Sequence, residues 1–212
     1  MRWADRPIFA TNTGEFRTTA VASATMGAGD AAAGGAGDAA AGRSGIRVDF
    51  GGTGVASVET GVPVLDRLLE RLAEAAQLDL VLEVEPGDAE AEVTAAGRAL
   101  GEALAGPLHA PGARGYGSAF MTSSEALAHV ALEAADAPLV VSNVDLSQAR
   151  IGGLGTDVAR RFVERLAEGA GLTVHVRLLN GTDTQHVLEA MFKALGVALA
   201  QACESKGGHR GR

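Results

Sequence analysis

Leu69-Glu70-Arg71-Leu72-Ala73-Glu74-Ala75-Ala76 returns almost residue for residue as Val163-Glu164-Arg165-Leu166-Ala167-Glu168-Gly169-Ala170. An alternating segment follows each copy: Leu78, Leu80, Leu82 and Val84, then Leu172, Val174, Val176 and Leu178. A period of two places each set on one face of a strand. Each copy then passes a glycine, Gly87 or Gly181, and enters a second helix expected to close on Ala99-Leu100-Gly101 or Ala194-Leu195-Gly196. Helix, strand, loop and helix at a nearly constant offset make an internal repeat, and a repeat sets the architecture before any single motif does. The preceding helices share a stripe as well. Val64, Leu65, Leu68, Leu69, Leu72 and Ala76 mark it in the first copy, and Val158, Phe162, Val163, Leu166 and Ala170 in the second. Such spacing buries one side of a helix and turns Asp66, Arg67, Glu70, Arg71 and Glu74 largely to water. Each half therefore reads as strands with two helices on one face. The fold class is α+β: two tandem pseudo-symmetric two-layer half-domains sharing one core.

The expected boundaries are a leader at 1–14, a first repeat at 15–105, a second at 106–203 and a tail at 204–212. Residues 27–44 form an Ala/Gly-rich insertion within the first repeat, including Gly29-Asp30-Ala31-Ala32-Ala33-Gly34 and its near copy Gly37-Asp38-Ala39-Ala40-Ala41-Gly42. So little apolar area cannot offset the entropy of ordering the backbone, which predicts a flexible loop. Strands are expected on its flanks, at Phe16–Thr25 and Ile46–Phe50. Gly51-Gly52-Thr53-Gly54 should then turn the chain into Val55–Glu59 as a hairpin. Two further strands are expected, around His129–Leu132 and at Leu139–Val141.

Composition narrows the function classes. Of 212 residues 47% are hydrophobic but only 4% aromatic, so Leu, Val and Ala must fill the core. The net charge of −8 leaves no basic stripe for nucleic acid. No apolar run approaches the length of a membrane helix, and the N-terminus lacks a signal-peptide centre. The lone Cys203 excludes an internal disulfide, and a cytoplasmic protein is the expectation. No Ser-His-Asp order, P-loop or dinucleotide fingerprint occurs. His129 reads as a structural strand residue and His175 as a hydrogen-bonded surface histidine on the polar side of its strand, and His109 and His209 carry no signal.

Asp183-Thr184-Gln185-His186-Val187-Leu188-Glu189-Ala190-Met191-Phe192-Lys193-Ala194 carries the chemistry. His186 and Glu189, three apart on a helix, share a face and can grip one cation. The run resembles the second metal-binding box, HHxxEAxFKA, of the imidazoleglycerol-phosphate dehydratase family. Thr60-Gly61-Val62-Pro63-Val64-Leu65-Asp66-Arg67-Leu68-Leu69 is similar to that family's TGxxFLDHML, and Gly112–Ala119 to its GIxRYGSA. Glu125-Ala126-Leu127-Ala128 resembles the end of PMDEALA, Gly171–Val176 resembles GLTLHV, and Ser205-Lys206-Gly207 resembles SxKG.

The resemblance implies repeats of the ribosomal protein S5 domain 2-like kind. It implies a lyase of histidine biosynthesis that dehydrates imidazole glycerol phosphate to imidazole acetol phosphate. It also implies two manganese ions holding the imidazole ring, and a homo-oligomer with sites between subunits. Site residues carried over are Glu189 and Glu125 for catalysis, His186 and Glu189 for metal, and Ser205, Lys206 and Lys193 for the phosphorylated substrate. The chain departs from the pattern elsewhere. Arg67 and Arg161 stand where the family has a first-helix His. The first box falls on Glu90-Ala91-Glu92-Val93-Thr94, and Gln185 replaces one His of the second. The early substrate-facing Glu falls near Gly27, and two family arginines fall on Gly115 and Ala137.

Two ligands cannot hold two divalent ions, and arginine nitrogens only donate. Either Arg67 and Arg161 bridge to Glu189, Glu90 or Glu92 in place of metal, or they are solvated on the helix surface. Three functions follow from the residues: a dehydratase with a degenerate metal site and weak or no activity alone; a silent paralogue serving as a structural or regulatory subunit, co-assembled with an intact relative; or a metal-free binder of a phosphorylated small molecule.

Overall fold

A computed structural model describes residues 18–22, 45–144, 150–151, 154–155 and 157–206. The first half runs β1 (Thr18–Ala22), β2 (Gly45–Phe50), β3 (Ala56–Glu59), α1 (Pro63–Ala76), β4 (Leu78–Glu83) and α2 (Ala89–Leu108). The second runs β5 (Tyr116–Ser123), β6 (Ala126–Ala134), β7 (Leu139–Ser142), a short pair β8 (Arg150–Ile151) and β9 (Leu154–Gly155), α3 (Asp157–Ala170), β10 (Leu172–Asn180) and α4 (Thr184–Cys203). The sheets have the orders β1-β2-β4-β3 and β5-β6-β10-β7. In each, the sheet's last strand before the first helix, β3 or β7, lies at the far edge, parallel to the strand after that helix, and the other neighbours are antiparallel; the β8–β9 pair is an addition of the second half. The halves share one topology, as the repeat predicts. The leader and the Ala/Gly insertion fall outside the described residues, as does Gly27.

The expected hairpin at Gly51–Gly54 is not formed. β2 and β3 are not neighbours: β4 lies between them, antiparallel to β2 and parallel to β3. Strands once removed are roughly 10 Å apart, a gap that a few extended residues span. Asp79 on β4 holds this crossing. Its Oδ1 accepts from the Thr53 and Val55 amides at 2.8 and 3.1 Å, and Gly51 and Gly54 supply φ values of 83° and 82°. These amide bonds, with that from Thr53 first, hold the Asp79 carboxyl below its ordinary range. The glycine cluster marks a turn, but the chain steps over a strand instead of folding back.

β5 has no apolar stripe in the sequence because its inward face runs Gly117, Ala119, Met121 and Ser123, with Met121 its one large apolar residue. A Cβ at Gly117 would overlap the backbone of Ala198 on α4. The helix lies too close for larger side chains.

Helix starts repeat with the fold. α2 and α4 open on Asp88 and Asp183, whose side chains accept from the Ala91 and His186 amides. α1 lacks a side-chain cap at Val62, has Pro63 in its first turn, and is fastened by Asp66, which accepts from both the amide and the hydroxyl of buried Thr60. α1 ends on Gln77 in the left-handed region (φ 52°), and Gly171 (φ 67°) takes that place after α3.

Both second helices continue past the expected ends, to Leu108 and Cys203, seven residues beyond Gly101 and Gly196. These glycines are crossing points. A Cβ on Gly101 would lie 2.5 Å from the carbonyl oxygen of Leu166 on α3, and one on Gly97 2.6 Å from that of Phe162. In the other crossing, Gly196 presses on the carbonyl of Leu72 on α1. Leu72 and Leu166 are equivalent in the repeat, so each half's second helix lies against the other half's first. α1 packs on α4 and α2 on α3, and each helix covers its own sheet behind. Leu78, Leu80, Leu82, Leu172, Val174 and Val176 point inward from the sheets. Together with the helix stripes they form one continuous core, whose burial drives folding at about 25 cal/mol per Å² of apolar surface.

Candidate functional site

The N-terminal end of α4 meets the β5–β6 turn, where Ser124 adopts φ 48°. Glu125 leaves this turn and reaches the helix start. Its Oε1 accepts from the Asp183 amide at 3.0 Å and the Thr182 amide at 3.4 Å, and its Oε2 lies 2.6 Å from Nδ1 of His186. The amides, that of Asp183 foremost, and His186 bring the Glu125 carboxyl down to about 2. A carboxylate fits here for a second reason. Amides at a helix start have no partners within the helix, and the dipole favours negative charge.

One turn along, Glu189 uses both oxygens. Oε1 accepts from Gln185 Nε2 at 3.0 Å and Oε2 from the Ser123 hydroxyl at 2.8 Å. The Gln185 bond first, then Ser123 and the charges of Arg71 and Lys193, hold its carboxyl below the ordinary range against the opposing effect of burial. Lys193 donates to the Thr122 carbonyl at 3.2 Å. Four of the residues singled out in the sequence, His186, Glu189, Glu125 and Lys193, thus converge on one edge of the second half.

Ser205 and Lys206 do not join them. They follow the C-terminal end of α4, a helix of twenty residues and so about 30 Å long. There Ser205 bridges to Ala113 and the Lys206 amide donates to the Gly112 carbonyl at 2.7 Å. Arg114, which drew no attention in the sequence, is the neighbouring cation. It stacks over the Tyr116 ring at 4.6 Å and approaches Glu204 at 3.8 Å.

The two arginines at the family's first-helix His positions part company. Arg161 on α3 pairs with Glu90 on α2 at 2.5 Å, across the two halves. Arg67 on α1 has no ion pair among the described residues. It borders a cleft of about 250 Å³ between α1 and α4, with Val64, Leu68, Leu188, Gln185 and Glu189. Glu92 pairs with neither: it is buried and accepts from the Gly87 amide at 2.9 Å, tying the loop before α2. Among the described residues no three His, Cys, Asp or Glu side chains come together to hold a metal ion.

Two other histidines make structural contacts. His129 meets the Ser118 hydroxyl at 2.7 Å and stacks on Phe120, and His109 reaches the Ala170 carbonyl at 3.0 Å. His175 is exposed on β10. Burial pushes the Cys203 thiol up to about 12. No described helix is long and apolar enough to cross a membrane.

Fold and site define a class: a tandem α+β repeat protein with a carboxylate–histidine cluster at the start of its last helix. The family model described as imidazoleglycerol-phosphate dehydratase matches residues 60–199. A relative of that name from Exiguobacterium is 36% identical over 169 residues, covering 78% of this chain and 87% of its own. One from Roseobacter denitrificans is 37% identical over 165 residues, covering 76% and 84%. Among solved structures, the dehydratase of Staphylococcus aureus superposes with a TM-score of 0.69 at 26% identity, covering 76% of this chain and 94% of that one. That of Pyrococcus furiosus gives 0.64 at 26%, covering 79% and 93%. The chain belongs to the imidazoleglycerol-phosphate dehydratase family.

Proposed function

We infer that this chain serves histidine biosynthesis as an imidazoleglycerol-phosphate dehydratase-like protein with a degenerate metal site. Dehydration of imidazole glycerol phosphate by this polypeptide alone is weak or absent. The observation that carries the reading is the donor set. The matching box offers one His and one Glu. His186 has Nδ1 engaged by Glu125, and both oxygens of Glu189 already accept hydrogen bonds. The equivalent positions of the first half are Glu90, Ala91 and Thr94. A manganese ion held by so few ligands keeps mostly water and competes poorly with solvation. A guanidinium at each former His position adds repulsion. These residues do not fit a two-manganese centre.

In this reading Glu125 and Glu189 are the remaining candidate acid–base groups, with His186 held against Glu125. Ser205 and Lys206 take the phosphate of a phosphorylated imidazole compound, and Lys193 steadies the β5 end. The length of α4 between these two sets favours assembly, since residues at its opposite ends meet only when subunits come together. A homo-oligomer in the cytoplasm satisfies this. A hetero-assembly with an intact relative does so equally, with this chain as structural or regulatory subunit.

Two measurements test the reading. After dialysis against excess manganese and then buffer, metal analysis should find far less than one ion per chain. The gene should also fail to rescue a histidine-requiring strain that lacks its own dehydratase. Two retained ions per chain together with rescue would overturn the proposal.

A further inference from the structure

Five arginines lie on α1 and α3, and four of them are neutralised. Arg71 pairs with Glu74, Arg160 with Glu164, Arg165 with Glu168, and Arg161 with Glu90. Arg67 is the exception among the described residues. Its repeat counterpart Arg161 meets a carboxylate because the facing position on α2 is Glu90. The facing position on α4 is Gln185, whose amide is already given to Glu189. The result is a guanidinium without a counter-ion among the described residues, at the rim of the cleft, with Val64, Leu68 and Leu188 as apolar walls. Glu189 is the one carboxylate lining it among the described residues, and the charges of Arg71 and Lys193 favour its ionised form.

An unpaired guanidinium beside an apolar wall matches one kind of guest. Its planar fork binds an oxyanion through two parallel hydrogen bonds, while the wall takes an apolar or aromatic body. We propose that the α1–α4 cleft is a metal-independent binding site for a small phosphate monoester with an apolar body, and that Arg67 receives its phosphate. The proposal rests on the reading above in one respect only: no manganese occupies this end of α4. It differs in placing a phosphate here, far along the chain from Ser205 and Lys206.

Isothermal titration of the full chain after chelator treatment tests this, with phenyl phosphate and inorganic phosphate as probes. Phenyl phosphate should bind, and more tightly than inorganic phosphate. Arg67→Gln should weaken it by about tenfold or more, the range of one charge-assisted bidentate contact. Gln185→Glu should do the same by giving Arg67 the partner that Arg161 has. Arg161→Gln should leave affinity unchanged, and thermal melts verify that each variant is folded. Three outcomes overturn the proposal: no binding of phenyl phosphate, equal affinity in Arg67→Gln, or binding that appears only when manganese is added. Retained manganese with rescue of the histidine-requiring strain sinks the functional reading. Equal affinity of Arg67→Gln in a metal-free protein sinks this one alone.

Discussion

At the α2–α3 crossing, Arg161 closes an ion pair with Glu90 from the other half; at the α1–α4 crossing, Arg67 lines a cleft with Gln185 and has no ion pair among the described residues. Beneath both, the packing is the same: a glycine of the second helix on the carbonyl of the repeated leucine, Gly101 on Leu166 and Gly196 on Leu72. The backbone contact fixes the crossing, and the polar rim is left to vary. One rim is closed by charge and the other opens as a cleft. A shared fold can thus carry two sites of different chemistry, because function resides in the rim.

The packing common to both crossings should respond most. Alanine normally stabilises a helix relative to glycine by about 1 kcal/mol. Here Gly101→Ala and Gly196→Ala should each destabilise by about 1–3 kcal/mol, since a Cβ meets backbone that cannot step aside. Urea denaturation checks both, and a gain in either would show that the two crossings are not equivalent. The rims should respond less and unequally. Arg161→Gln removes an exposed ion pair and should cost about 0.2–1 kcal/mol, fading in high salt. Arg67→Gln should leave stability unchanged in the same assay.

A further response concerns the α4 start alone. Glu125 has its carboxyl lowered to about 2, so its tie to the Asp183 amide and His186 is at full strength above the ordinary carboxylate range. That tie is lost as pH falls through about 2. Carboxyl chemical shifts followed by NMR should show Glu125 titrating well below the other glutamates. At the start of α2 Ala91 stands in the place of His186, so no carboxylate–imidazole pair can form there. A Glu125 titration in the ordinary range would remove this difference between the halves.

Much of the fold was legible because repetition and periodicity report burial directly. The stripes of α1 and α3 and the inward residues of β4 and β10 lie where the spacing put them. Two features were misread for one physical reason. Gly101 and Gly196 look like helix ends, and Gly51–Gly54 looks like a hairpin, because a sequence records that glycine is needed and not what approaches it. In one case the neighbour is another helix, in the other a strand that must be stepped over. β5 was invisible because its inward face, Gly117, Ala119, Met121 and Ser123, is mostly small or polar, with no room for a larger side chain at Gly117. At the site, the box residues could be found by pattern. The divergence of Arg67 from Arg161 could not, since it turns on one atom of the facing residue, Gln185 against Glu90. Asp183 was within reach as an N-cap. Ser123 was not, because its role comes from a strand far off in the chain.

The reciprocal arrangement of the helices bears on how such a molecule originates. Because each half lends its second helix to cover the other's first, neither half has a finished surface of its own. A polypeptide of one half's length would hide the same leucines by pairing with an identical chain about a two-fold axis. Joining two such chains end to end makes that pairing intramolecular, and frees each copy to drift while the other holds the interface.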